Sequence, residues 1–81
     1  MTIEQIDRFL DADPNCFSKI LLKVRTVEGI FIKAPDFAEL KKKNFWRIVT
    51  ANKMDEYRRS KDLSLSRIFN GQEFVRLSSK G

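Results

Sequence analysis

Seven cations, Lys41, Lys42, Lys43, Arg47, Arg58, Arg59 and Lys61, lie in one stretch with Phe45, Trp46 and Tyr57. Lysine and arginine neutralise phosphate and release its counterions, while aromatic rings stack on bases of any identity. Interleaved, the two residue types suit single-stranded nucleic acid, and the seven cations with Trp46 are the candidate contact residues. Phe45 and Trp46 are adjacent, so on a strand they face opposite sides and at least one belongs to a core. Tyr57, three residues after Met54, packs a helix face as readily as it stacks on a base. The lysine run is equally a solvated helix end. Arg67 and Arg76 would extend the basic surface.

Other chemistry is poorly served. There is no histidine, which removes imidazole acid–base work and most zinc sites. Cys16 is the one cysteine, so an internal disulfide is excluded and a reducing compartment is expected, the cytoplasm by default. Its neighbours Asn15 and Phe17 do nothing to activate a thiol. Gly29, Gly71 and Gly81 are too dispersed for a phosphate-cradling loop. Asp55 and Glu56, beside Arg58 and Arg59, read as helix-surface pairs. The expectation is a binding module with no catalytic residue, metal or cofactor.

The 81 residues allow one domain with a modest core. At 42% hydrophobic and 33% charged, the chain has the composition of a globular protein. Apolar runs are too short to span a bilayer, and the acidic, amphipathic start is unlike a secretory signal. Residues 1–18 carry a net charge of −3 and residues 19–81 carry +8. A basic domain behind an acidic helix would attract nucleic acid or an acidic protein.

These residues must be positioned by short elements. Thr2-Ile3-Glu4-Gln5 is a capping box, and Ile3, Ile6, Phe9 and Leu10 form one helical stripe, ended by Asp13-Pro14-Asn15. The stripe needs a partner, either the sheet of its own subunit or a second subunit. Residues 17–25 alternate as a strand, with Ile20, Leu22 and Val24 inward. Val27, Glu28 and Gly29 suggest a turn before a second strand at residues 30–33. Residues 36–43 form a short helix or coil, with Asp36 and Glu39 in a capping pattern and Asn44 as a left-handed terminator. Residues 45–50 are the third strand, rich in aromatic and β-branched side chains. A further short helix runs from an Asn52 cap to Ser60. Leu63-Ser64-Leu65-Ser66 then alternates into a hairpin arm, and Asn70-Gly71 suits a type I′ turn joining the last two strands.

The predicted fold is α+β and mostly β. It is a bent five-stranded antiparallel sheet or small barrel with an N-terminal helix and one or two short inserted helices. It divides into a helix over 1–13, the sheet over 17–77 and a polar tail over 78–81. This arrangement, with Gly29 near the early turn, Asp36 several residues later, and the Ile-Phe-Asn-Gly-Gln-Glu-Phe-Val run at 68–75, resembles the Sm-like (LSm) small barrel. As topology it is similar to SH3-like barrels too. The asparagine that the Sm-like family carries shortly after its aspartate is absent here, where Phe37, Ala38, Glu39 and Leu40 follow Asp36. The resemblance implies a small barrel; without that asparagine it does not imply base binding at the usual family site.

Two functions follow as expectations. One is a small basic module binding single-stranded nucleic acid, RNA in preference to DNA. The other is a protein-interaction or assembly module working through a sheet edge or the N-terminal helix, with an acidic protein or further copies of the chain as partner. No membrane partner is expected.

Overall fold

The first helix, α1 (Ile3–Ala12), begins with the capping box written in its sequence. The Thr2 amide donates to Gln5 Oε1 at 2.9 Å and the Gln5 amide to Thr2 Oγ1 at 3.2 Å. Two orphan donors at the helix start are thereby satisfied. Ile6 and Leu10 are buried, and Met1, Ile3 and Phe9 pack around them. The computed structural model describes residues 1–12 and 17–79. The expected breaker Asp13-Pro14-Asn15, Cys16, and the last two residues lie outside them.

Five strands follow: β1 (Ser18–Leu22), β2 (Thr26–Phe31), β3 (Phe45–Thr50), β4 (Arg67–Asn70) and β5 (Phe74–Ser79). Helix α2 (Phe37–Lys42) joins β2 to β3, and helix α3 (Met54–Ser60) follows β3 through a 3-10 turn at Ala51–Lys53. All pairings are antiparallel, in the order β4-β3-β2-β1-β5. The sheet's end strands, β4 and β5, are separated in the chain by only the 3-10 turn Gly71–Glu73. At about 2 Å of rise per residue that turn is short, so the sheet must curl until its two edges approach. A register shift between Leu21 and Leu22, where β1 meets β5, adds local twist.

The concave face holds the core. Ile20 and Leu22 come from β1, Val27 and Phe31 from β2, Trp46 and Ile48 from β3, and Phe74 from β5. The rings meet edge to face: Phe31 lies 6.2 Å from Trp46 and 6.3 Å from Phe74, and Phe37 lies 6.0 Å from Trp46. Val49 faces the other way, opposite Ile30 in the register, yet is fully buried. The segment carrying α3 folds back over that side, and Met54 is buried in it.

Several local expectations are corrected. β4 and β5 form no hairpin, and Asn70-Gly71 is not a type I′ turn. Asn70 has φ −83°, and its side chain caps the 3-10 turn by accepting from the Gln72 amide at 2.9 Å. Gly71 is there for space: a Cβ would lie against the Asn44 side-chain amide and 2.8 Å from Ile6 Cδ1. Gly29 likewise sits inside β2 with no positive φ, because a Cβ would strike the Val49 carbonyl of the neighbouring strand. The actual turn is at residues 23–25, and Val24 is 89% exposed. Leu63–Leu65 is a 3-10 turn, not a strand lead-in, capped by the Asp62 carboxylate on the Ser64 amide at 3.0 Å. Asn52 does not cap α3; its Oδ1 accepts from the Thr50 hydroxyl at 2.6 Å. Ser78 and Ser79, assigned to the tail, pair with Lys19 and Ser18.

Candidate nucleic-acid interface

The eight candidate residues do not form one patch. Trp46 is corrected first. It is 1% exposed, and its indole N–H donates to Asn44 Oδ1 at 2.8 Å, so its ring is core and presents no face to a base. The alternation that places Phe45 outward places Trp46 inward, beside Phe31 and Phe37.

Arg47 is on the outer face of β3, and its guanidinium is engaged. One terminal nitrogen lies 2.6 Å from the Asp36 carboxylate and the other donates to Ser66 Oγ at 2.9 Å. This clamp ties the start of α2 to the segment before β4. It explains why Asp36, at the N-cap position of α2, makes no side-chain cap bond. Arg47 Nε and Asp36 Oδ1 are buried with no hydrogen-bond partner among the described residues. A phosphate would have to displace an existing ion pair to use this arginine.

The lysine run splits in two. Lys41 Nζ is 2.8 Å from the Asp7 carboxylate, joining α2 to α1 across a half-exposed contact. Lys42 and Lys43 are exposed and line an open groove of about 520 Å³ with Thr2, Glu4, Asn44 and Gln72. Glu4 offsets part of their charge there. Asn44, at φ 62°, ends the helical segment in the left-handed conformation expected of it.

The other basic group gathers on α3. Arg58 and Arg59 are exposed near its C-terminal end, where positive charge suits the helix dipole. Lys61 caps the helix at φ 56°, its amide donating to the Tyr57 carbonyl at 2.7 Å. Its ammonium sits 5.6 Å from the centre of the Tyr57 ring. Arg58, Lys61 and Tyr57 line a groove of about 330 Å³ against β2, whose other lining residues include Ile30, Ile32, Lys33 and Met54. Lys33 rests 5.6 Å from the centre of Phe37. Among the described residues no carboxylate lines this groove, and Lys33, Arg58 and Lys61 have no ion pair.

Sequence proximity does not group Lys33 with these cations, because it lies far along the chain from α3. Its signal was the end of the apolar run Ile30-Phe31-Ile32, where a strand must emerge into solvent. Arg59, by contrast, is exposed but outside the groove lining. A second open groove, of about 540 Å³, has Arg25 and Arg67 on its wall together with Glu28, Thr50 and Asn52. The Arg25 guanidinium is 6.0 Å from the centre of the Phe69 ring.

Among the described residues no helix is long and apolar enough to cross a membrane. No family model, curated protein or solved structure matches the chain.

Proposed function

We propose that the protein is a non-enzymatic binding module for single-stranded nucleic acid, RNA in preference to DNA. The observation that carries this reading is the groove between β2 and α3, which Lys33, Arg58 and Lys61 line together with Tyr57 and which has no carboxylate among its described lining residues. Cations supply phosphate affinity, and a half-exposed ring beside them supplies a stacking surface. Lys42 and Lys43 add an outlying contact for a strand that runs beyond the groove. A small curved sheet suits an extended strand better than a duplex, which agrees with the Sm-like or SH3-like resemblance of residues 17–77. A reducing, cytoplasmic setting belongs to the same proposal, on the single cysteine.

The test is fluorescence anisotropy of a mixed-sequence single-stranded RNA against folded protein at low and high salt. Binding that weakens steeply as salt rises is the expected result. A folded sample that binds neither RNA nor DNA at low salt overturns the reading.

One observation favours a second reading, assembly through a sheet edge. β4 and β5 end the sheet, and Ile68 and Val75 on them are 50% and 55% exposed. Unpaired edge strands template pairing with another chain. Sedimentation across a concentration series tests this: a monomer at every concentration removes self-assembly and leaves only a different protein as edge partner.

A further inference from the structure

We propose that the groove between β2 and α3 is a one-nucleotide subsite, in which Lys33, Arg58 and Lys61 receive a phosphate and the Tyr57 ring receives the base. The inference deepens the nucleic-acid reading and rests on it.

The groove is built for two unlike halves of one ligand. Its floor is apolar. Ile30 turns to it because its strand neighbours Gly29 and Phe31 face the core, and Met54 closes it from α3 with 7% exposure. Its rim is cationic. At about 330 Å³ the groove has room for one small ligand, near the lower end of the usual pocket range. A nucleotide is a ligand of this kind, its base lying over the floor against Tyr57 while its phosphate meets the rim.

The resting positions of the cations define how it would load. Lys61 covers the Tyr57 ring and Lys33 covers the Phe37 ring. Both are cation–π contacts at exposed sites, weaker than a charge-assisted hydrogen bond to phosphate. An arriving phosphate therefore draws both ammonium groups away from their rings. Departure of Lys61 uncovers the Tyr57 face that the base then takes. Arg58 needs no release, since no carboxylate among the described residues holds it, and its planar fork suits two phosphate oxygens at once. The phosphate thus opens the base position, and a nucleoside without phosphate meets a covered ring.

The experiment is an NMR titration of the isotopically labelled chain with AMP, adenosine and inorganic phosphate in parallel. The Tyr57 ring and the β2 and α3 amides report the site. AMP is expected to bind several-fold more tightly than either fragment and to move the Tyr57 ring resonances. Lys33→Gln/Arg58→Gln/Lys61→Gln should weaken AMP by about ten-fold or more, and Tyr57→Leu should weaken AMP while leaving phosphate affinity unchanged. Tyr57→Phe, which keeps the ring, should bind AMP as the wild type does, and the retained phosphate affinity and amide spectrum of the leucine variant separate lost stacking from a folding defect. Equal affinity for AMP and phosphate, with no effect of Tyr57→Leu, overturns the subsite. So does AMP binding that maps to another groove. RNA binding unaffected by the triple substitution removes the subsite while the nucleic-acid reading stands; no RNA binding by the wild type removes both.

Discussion

Asn44 Oδ1 accepts the Trp46 indole N–H at 2.8 Å, and the same amide donates through Nδ2 to the Met1 carbonyl at 3.1 Å. The Asn44 carbonyl also accepts the Gly71 amide at 2.7 Å, and the Met1 nitrogen donates to the carbonyls of Gly71 and Phe74 at 3.0 and 2.9 Å. One residue thus joins the start of α1, the end of α2, the core indole and the turn between the edge strands. Only asparagine combines tolerance of φ 62° with an amide of this reach. Asn44→Ala strands a buried indole donor and strains the backbone, for a predicted loss of about 2–4 kcal/mol. Asn44→Gly removes the strain alone and should recover about 1 kcal/mol of that loss. Urea unfolding of the three proteins checks both; equal stability of Asn44→Ala and wild type would mean the network holds nothing.

Trp46→Ala should cost about 3–5 kcal/mol, because a 1% exposed indole leaves a cavity among Phe31, Phe37 and Ile48. RNA affinity per folded molecule should not change. A variant of unaltered melting temperature and lost binding would return Trp46 to the interface.

Gly71→Ala should destabilise the protein by about 1–3 kcal/mol through overpacking against Asn44 and Ile6, two side chains with little freedom to move. Gly29→Ala should do at least as much harm, since its obstacle is the β3 backbone at Val49. Neither effect depends on positive φ. Thermal melts of the two alanine variants decide it, and a neutral Gly29→Ala would mean that the β3 backbone at Val49 yields to the added methyl.

What was legible in the sequence was local. The capping box of Thr2 and Gln5, the left-handed Asn44 and the span Phe45–Thr50 depend on neighbours within a few residues, and each stands as expected. Asn70-Gly71 misled because its fate is decided elsewhere. The dipeptide suits a tight hairpin, but β4 is taken by β3 and β5 by β1, so the same asparagine caps a 3-10 turn instead. Val24 continued the apolar alternation and yet sits in a turn, since the pairing of Leu21 with Thr26 ends the β1–β2 ladder just before it. The candidate site suffered the same way. Closeness in sequence groups these cations, but Lys41 and Arg47 are drawn off by Asp7 and Asp36, while Lys33 lines the same groove as Arg58 and Lys61 only because the segment carrying α3 folds back over the sheet.

The Asp62 carboxyl titrates below the ordinary carboxylate range because the Ser64 amide and hydroxyl hydrogen-bond to its ionised form. A depressed folded pKa means that its stabilising effect is present above the unfolded pKa and fades as pH falls through the folded one. Asp62→Asn should therefore lose its stability difference from wild type in strong acid and keep it at neutral pH. Paired denaturation at the two pH values checks this; a difference that grows on acidification reverses the sign and refutes the cap.

Arg47 and Arg58 separate structure from binding. Arg47→Gln breaks the Asp36 and Ser66 clamp and should destabilise by about 1–2 kcal/mol, less than a fully buried pair because the Asp36 side chain is 39% exposed. Its effect on RNA affinity should be small, since a guanidinium committed to Asp36 neutralises no phosphate. Arg58→Gln/Lys61→Gln should do the reverse. Both side chains are exposed, so the melting temperature should hold. The slope of log affinity against log salt should fall by about 1.4, at roughly 0.7 per phosphate contact on a single strand. Measuring that slope for wild type and both variants places the interface. If Arg47→Gln flattens the slope and the α3 pair does not, the binding surface is the outer face of β3, not the groove beside Tyr57.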